Sequence, residues 1–310
     1  MLRHNSFSHL FIGIILFFVL SPCFFRFFFL PLPNNFKRVD PKMKQAMIFA
    51  AGMGTRLKPL TDVIPKALVP VGDKPLLQIV LERLLDAGIH DVVVNVHHKA
   101  GQICNYLNLL QSHYDVKISI SDESELLLET GGGIRKAHDL FDAEAPILIH
   151  NVDILSNVDL GAFYDSIGDA DVLLLVSERK TKRYLLFDEE MHLVGWTNIE
   201  TGEVKSPYPE IAALSGDKES VQSKFAFSPS GSLPREGGGR GLAFSGIHAF
   251  SPRLFSDMEQ WPEKFPIIDF YLNRCAERKI KGYLKSDLKL LDVGKLDTLD
   301  NAFEFLKTIN

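Results

Sequence analysis

Gln45-Ala-Met-Ile-Phe-Ala-Ala-Gly-Met-Gly-Thr-Arg-Leu-Lys-Pro-Leu-Thr61, with Pro65-Lys66 just beyond, joins an apolar run to a basic glycine loop. Ala46–Ala50 is a short apolar run that ends in glycines, the pattern of a buried parallel strand. Gly52 and Gly54 allow a sharp turn and let backbone N–H groups approach an anion closely. Arg56 and Lys66 add two positive charges that can neutralise a polyphosphate. The run is not a P-loop, because no Gly-Lys-Ser/Thr closes it. It is not a dinucleotide fingerprint either, because the third glycine is missing. A glycine loop directly after a first strand is where open α/β sheets bind ligands.

Beyond this loop, strand and helix patterns alternate. Leu76–Leu85 has apolar residues at helical spacing and stops at Ala87-Gly88, and Asp91–Val96 is a continuous β-branched run. Ala100–Leu110 reads as a helix, Val116–Ser121 as a strand, Ile134–Phe141 as a helix and Pro146–His150 as a strand. Asp171–Ser177 follows as a strand, and Tyr184–Phe187 with His192–Trp196 reads as a hairpin turning near Asp188-Glu189-Glu190. Gly241–Phe250 is a further strand, and Ile267–Glu277 and Lys295–Leu306 read as helices. The expected class is α/β: a Rossmann-like three-layer α/β/α arrangement around a mixed, mainly parallel sheet. Residues 43–310 are expected to form a single domain. It would carry a flexible Ser/Pro/Gly insertion at 226–241, where Ser228-Pro-Ser-Gly-Ser-Leu-Pro-Arg-Glu-Gly-Gly-Gly-Arg-Gly241 lacks any apolar period.

The first 42 residues differ from the rest. Ten of the 23 phenylalanines lie within residues 1–36, and Leu10 to Phe25 carries no charge. That run is short for a membrane span, which needs about 20 apolar residues, and Pro22, Pro31 and Pro33 interrupt its extension. Two readings stay open. One is a membrane anchor over residues 10–32, with Arg26, Lys37, Arg38, Lys42 and Lys44 keeping the following domain on the cytoplasmic side. The other is a true start at Met43, which makes the chain an ordinary cytoplasmic protein. The 310-residue chain has a formal net charge of −5, which offers no footprint for nucleic acid. Cys23, Cys104 and Cys275 match neither a zinc site nor a disulfide framework.

Two acidic positions follow strands as the glycine loop does. Ile147-Leu-Ile-His-Asn-Val-Asp153 is an apolar strand ending in a carboxylate, and Leu290-Leu-Asp-Val-Gly-Lys295 repeats the strand–acid pattern. Asp153 and Asp292 are placed to hold Mg²⁺, a hard ion that takes carboxylate, phosphate and water oxygens. Leu128-Glu-Thr-Gly-Gly-Gly-Ile134 reads as glycines opening a helix, a ready anion or sugar site.

Gly-Met-Gly-Thr-Arg-Leu-Lys-Pro-Leu-Thr followed by Pro-Lys resembles the signature of the sugar nucleotidyltransferases, and the likeness extends over roughly residues 45–305. The resemblance implies a GT-A-like nucleotidyltransferase fold and a transfer that joins a nucleoside triphosphate (UTP or GTP) to a sugar 1-phosphate, releasing pyrophosphate. It implies that Ala50, Ala51 and Gly52 border base and ribose, and that Gly54, Thr55, Arg56 and Lys66 hold the triphosphate. Glu129, Thr130, Gly131, Asn151 and Gly246 would lie on the sugar side. Arg56, Lys66 and Asp153 would be the catalytic residues, with Mg²⁺ on Asp153 and Asp292. Leu-Glu-Thr-Gly-Gly-Gly resembles the N-acetylmuramate 1-phosphate uridylyltransferase branch; mannose-1-phosphate guanylyl transfer is the alternative. The sequence departs from the pattern at Val152, where the family has glycine, and at Lys295, where it has threonine. The basic run Glu178-Arg-Lys-Thr-Lys-Arg183 replaces the frequent Glu-Lys-Pro motif and reads first as a solvated loop, with a reach to the substrate phosphate as the second reading. Rival classes are an NDP-sugar-using glycosyltransferase, which would show Asp-x-Asp, and a non-catalytic NDP-sugar-binding regulator. The oligomeric state is not legible.

Overall fold

The computed structural model describes residues 43–227 and 238–309. Strands β1 (Gln45–Phe49), β2 (Asp91–Val96), β3 (Lys117–Asp122) and β4 (Ile147–Asn151) form a parallel block in the order β3-β2-β1-β4. Helices α1 (Leu76–Asp86), α2 (Ala100–His113) and α3 (Glu129–Lys136) connect them. The alternation of side chains along each strand divides the core in two. Ile48, Val92, Val94 and Leu148 face one apolar cluster, while Met47, Val93, Ile147 and Ile149 face the other. Both faces of the block are therefore covered, which is why these strands read as unbroken apolar runs. Helix α1 buries Leu76, Leu77, Val80, Leu81 and Leu84, and Gly88 ends it in the left-handed region at φ 74°.

The chain continues through β5 (Ile154–Ser156), β6 (Val172–Ser177), β7 (Arg183–Phe187), β8 (Leu193–Asn198) and β9 (Glu203–Lys205). It then enters the 12-residue β10 (Gly239–Phe250). Strand β10 runs antiparallel to β4, β6 and β7 and so joins the parallel block to the β7–β8–β9 meander. Helix α4 (Ile267–Arg274), strand β11 (Ile280–Leu284) beside β6, strand β12 (Leu290–Asp292) and helix α5 (Leu296–Ile309) complete the fold. The expected α/β/α layering around a mixed sheet is found.

Two sequence expectations change. The stretch at 226–241 is expected to be a flexible insertion; at its described ends Phe225–Ala226 and the start of β10 pair with one another in register Phe225↔Gly239. Gly239 and Gly241 lie so close to the Phe187 carbonyl and the Phe227 ring that a Cβ has no room. They are there for close packing, not for freedom; residues 228–237 lie outside the described part. Likewise the glycines of 131–133 do not precede a helix but sit within it, since α3 starts at Glu129 and ends at Lys136. The reason is contact with the segment before α4, where the Phe265 ring and carbonyl meet Gly131 and the Glu263 carbonyl meets Gly132. Gly131→Ala would set its Cβ 2.9 Å from the Phe265 carbonyl oxygen as well as into the ring. It is expected to cost about 1–3 kcal/mol by overpacking, read as a lower thermal midpoint.

Burial also sets an acid limit on stability. His150 and His248 are buried, and burial pulls their pKa values from 6.5 down to about 4 and about 3, with Arg83 adding to the effect on His150. The unfolded chain binds protons at these rings from about pH 6.5 downward, whereas the folded chain does not until about pH 4 or 3. Stability is therefore full above that window and falls as pH drops through it, with a slope near 1.4 kcal/mol per pH unit for each ring. Urea midpoints that fall between pH 7.5 and 5 would agree; a flat profile would not.

The N-terminal segment of residues 1–42, with its anchor reading, lies outside the described residues. Among the described residues no helix is long and apolar enough to cross a membrane. Cys104 and Cys275 are free thiols, and Cys23 is outside the described part.

Candidate active site

The register of the parallel block brings the loops together. Phe49 pairs with Asn95 on one side and Asn151 on the other, so β1, β2 and β4 end at one edge. The glycine loop leaves from β1 and the Asn151-Val152-Asp153 turn leaves from β4. Val152, the departure from glycine, is buried in the core, and its N–H donates to the Phe49 carbonyl at 3.1 Å.

In the glycine loop, Gly54 adopts φ 64°, and its carbonyl accepts from the Thr61 hydroxyl at 2.9 Å. A Cβ at Gly54 would stand 2.8 Å from the Thr61 methyl and 3.0 Å from the Lys66 Cβ. Glycine is thus required twice there, by conformation and by space. This folding-back is what places Lys66 beside the β4 turn: its ammonium makes an ion pair with Asp153.

Asp153 is held by a second device. The short antiparallel pair β5–β12 aligns Ile154 with Asp292, and the Val293 N–H donates to the Asp153 carbonyl at 2.8 Å. Two carboxyls, 139 positions apart in sequence, come close enough for the charge of one to act on the other. The Asp292 pKa is raised, first by desolvation and then by the charge of Asp153, against the opposing pull of Lys66 and Arg56. Gly294 makes room for this cluster, since a Cβ there would lie 2.6 Å from Asp292 Oδ1 and 2.7 Å from an Arg56 guanidinium nitrogen. Two adjacent carboxylates balanced by two cations are a donor set that fits a divalent ion with oxygen ligands.

On the β10 side, Gly246 sits at φ 81°, where the register between β10 and β6 shifts from Phe244 to His248. The Asn151 amide nitrogen would be 2.6 Å from a Cβ on Gly246, so these two sugar-side candidates are neighbours. Glu129 is exposed and takes φ 61°, rare for a residue with a side chain, with the Lys264 ammonium 3.8 Å from its carboxylate. Thr130 and Gly131 bond instead to the start of α4 and the segment leading into it. The Thr130 hydroxyl accepts from the Ile267 N–H at 2.9 Å, and the Gly131 N–H donates to the Phe265 carbonyl at 2.9 Å.

Three residues escaped the sequence reading or were placed low in it. Arg179 belongs to the basic run read first as a solvated loop. Its guanidinium donates to the Phe244 carbonyl at 2.9 Å; desolvation lowers its pKa, and Asp292 pulls the other way. A Glu-Arg pair in place of Glu-Lys-Pro was the available signal. Asn95 and Glu123 carried no signal, since one lies within a β-branched strand and the other in an acidic loop; both are buried. Among the described residues, Asp188, Glu190 and His192 form a separate acidic cluster at the β7–β8 turn. There the Asp188 carboxylate caps the His192 backbone N–H at 2.7 Å, a turn-closing role.

Residues 45–183 match the nucleotidyl transferase family. Over 263 residues the chain is 32% identical to an N-acetylmuramate alpha-1-phosphate uridylyltransferase of Neisseria meningitidis serogroup B, covering 83% of this chain and 96% of that one. The chain belongs to the nucleotidyl transferase family. A Caulobacter vibrioides relative of the same name is 41% identical over 128 residues, which span 41% of this chain and 52% of the relative. A mannose-1-phosphate guanyltransferase of Schizosaccharomyces pombe is 31% identical over 144 residues, 45% of this chain and 39% of the relative. The chain thus aligns with about half or less of these two nucleotidyl transferase relatives and with nearly all of the Neisseria one. Its fold is shared with HddC from Yersinia pseudotuberculosis, at a TM-score of 0.60 and 22% identity over 85% of this chain and 100% of that one. It is shared also with a UDP-glucose pyrophosphorylase from Acinetobacter baumanii, at 0.61 and 17% over 86% and 92%.

Proposed function

We propose that this nucleotidyl transferase joins a nucleoside triphosphate to a sugar 1-phosphate, giving an NDP-sugar and pyrophosphate, and that UTP and N-acetylmuramate 1-phosphate are its substrates. The observation that carries the reaction is the Asp153–Asp292 carboxyl pair, balanced by Lys66 and Arg56 at the foot of the glycine loop. The choice of uridylyl over guanylyl transfer rests on the Neisseria relative, which aligns along nearly its whole length, against the two-fifths alignment of the guanyltransferase.

Phosphoryl chemistry of this kind asks little covalent work of the protein; positioning and charge neutralisation supply the acceleration. A phosphate monoester already carries about 1.5 to 2 negative charges at pH 7, so its oxygen attacks the α-phosphorus in line without a general base. One P–O bond forms there and the bond to pyrophosphate breaks. Gly54, Thr55, Arg56 and Lys66 bind the triphosphate, and Ala50, Ala51 and Gly52 border the nucleoside. Arg179, which feels the charge of Asp292, meets the acceptor phosphate. Glu129, with Asn151 and Gly246, orients the sugar, while Thr130 and Gly131 hold that loop against α4. Asp153 and Asp292 would hold Mg²⁺, which when bound neutralises charge on the reacting phosphates.

A grid of four nucleoside triphosphates against several sugar 1-phosphates, read by pyrophosphate release from the full chain, tests this reading. Release that needs UTP with N-acetylmuramate 1-phosphate supports it. Release only with GTP and mannose 1-phosphate transfers the assignment to guanylyl transfer, and silence across the grid with tight NDP-sugar binding points to a regulator.

A further inference from the structure

Glycine loop and α3 loop arise from different strands, yet a nucleoside between them needs a gap of fixed width. The link runs through two buried polar side chains. Asn95, near the end of β2, is 2% exposed; its Oδ1 accepts from the Ala50 N–H at 2.8 Å and from the Ala51 N–H at 3.3 Å. Its Nδ2 donates to Glu123 Oε1 at 2.7 Å. Glu123 is 0% exposed, and its Oε2 accepts from the Leu128 N–H at 3.0 Å, one residue before Glu129. Its own N–H donates to the Val96 carbonyl at 2.7 Å. A continuous chain of hydrogen bonds therefore runs from the start of the glycine loop to the start of α3.

The polarity of that chain is dictated by its backbone ends. The Ala50, Ala51 and Leu128 N–H groups only donate, so Asn95 turns its oxygen toward the loop and its NH₂ toward Glu123, whose two oxygens both accept. Two loop N–H groups are thereby fixed. Glu123 has no ion-pair partner among the described residues, and burying an unpaired carboxylate costs stability unless it is hydrogen-bonded. Gly133 is part of the same arrangement, since a Cβ there would be 2.8 Å from Glu123 Oε1. An apolar pair would pack the interior without that cost, but would hold neither loop.

We propose that Asn95 and Glu123 are positioning residues that set the gap between the glycine loop and the Leu128–Glu129 loop, and with it the affinity for the nucleoside portion of the nucleotide; this rests on the nucleotide-binding reading above. The test compares the full chain with Glu123→Gln, Asn95→Asp and the double replacement. In Glu123→Gln the side-chain amide can satisfy Asn95 or Leu128, not both. In the double replacement every bond is restored with one direction reversed: the introduced aspartate accepts from Ala50 and Ala51 and from the introduced glutamine, whose oxygen takes the Leu128 N–H.

Losing one such bond corresponds to about a tenfold rise in the triphosphate KM, with kcat within about twofold. Amide exchange at Ala50 and Ala51 is expected to quicken in both single variants. In the double replacement KM is expected to recover to within about threefold of the parent. Singles that lose thermal stability while KM and the exchange of Ala50 and Ala51 stay unchanged would overturn the proposal, as would a double replacement that recovers nothing. A parent chain that neither binds nor turns over any triphosphate would sink the functional reading instead, and the exchange comparison would still decide whether the pair holds the loop.

Discussion

Asp153→Asn and Asp292→Asn are each expected to lower kcat/KM by about 10²-fold or more, the scale of losing an electrostatic stabiliser at a reacting centre. The two should differ in stability when no divalent ion is present. Asp153 is ion-paired with Lys66, so its replacement removes a favourable contact and leaves an ammonium without its partner. The Asp292 pKa is raised by burial and by Asp153, so its ionised form is disfavoured in the fold. A group raised in this way subtracts stability at pH values above its ordinary range, and Asp292→Asn removes that penalty. Asp292→Asn should therefore be at least as stable as the parent near pH 7, while Asp153→Asn should be less so. Added Mg²⁺ should raise the thermal midpoint of the parent and have much less effect on either variant. Equal turnover of all three proteins at limiting Mg²⁺ would remove the carboxyl pair from the chemistry.

The second large effect is expected at Lys66. Lys66→Ala should also cost about 10²-fold in kcat/KM, mostly through a weaker hold on the triphosphate. Lys66 has a position that Arg56 lacks: the folded-back Gly54 loop packs against its Cβ, and its ammonium is seated on Asp153. Arg56 is an exposed side chain that reaches over Gly294 toward Asp292. Arg56→Ala should thus cost less than Lys66→Ala, and Lys66→Arg should recover only part of the loss, because a planar fork does not replace a compact charge in that contact. Steady-state kinetics over a range of triphosphate concentrations separates these cases. Lys66→Ala with unchanged KM and kcat would contradict the assignment.

Much of this molecule was legible from residue patterns because the physics that builds it is local. A parallel strand covered on both faces has to be apolar throughout, so Ala46–Ala50 and Asp91–Val96 announce themselves. The glycine loop was legible because glycines, two cations and a strand end crowd into one short run, the pattern a polyphosphate site would need. The meeting of Asp153 and Asp292 was suggested by two like strand–acid patterns, but the three-residue pairing of β5 with β12 that produces it has no sequence period long enough to read. Helix α3 was misplaced because glycine is a poor helix former. Its reason is tertiary: Phe265 and the Glu263 carbonyl occupy the space a side chain would need. Asn95 was hidden among valines, since one polar residue inside an apolar strand signals nothing until its partners are known. Arg179 lies in an exposed loop, as the basic run suggests, but such a run gives no hint of which residue reaches back to the sheet, as its guanidinium does to the Phe244 carbonyl.

On the function proposed above, the Asp153–Asp292 site couples consumption of a triphosphate to capture of a sugar 1-phosphate. The direct measurement is the stoichiometry of products from UTP and N-acetylmuramate 1-phosphate with the full chain and Mg²⁺. Pyrophosphate and UDP-sugar formed in equal amounts, and neither formed when the sugar phosphate is left out or when Asp153→Asn is used, is the predicted result. Pyrophosphate released without the sugar phosphate, or UDP-sugar formed at the parent rate by Asp153→Asn, would contradict it.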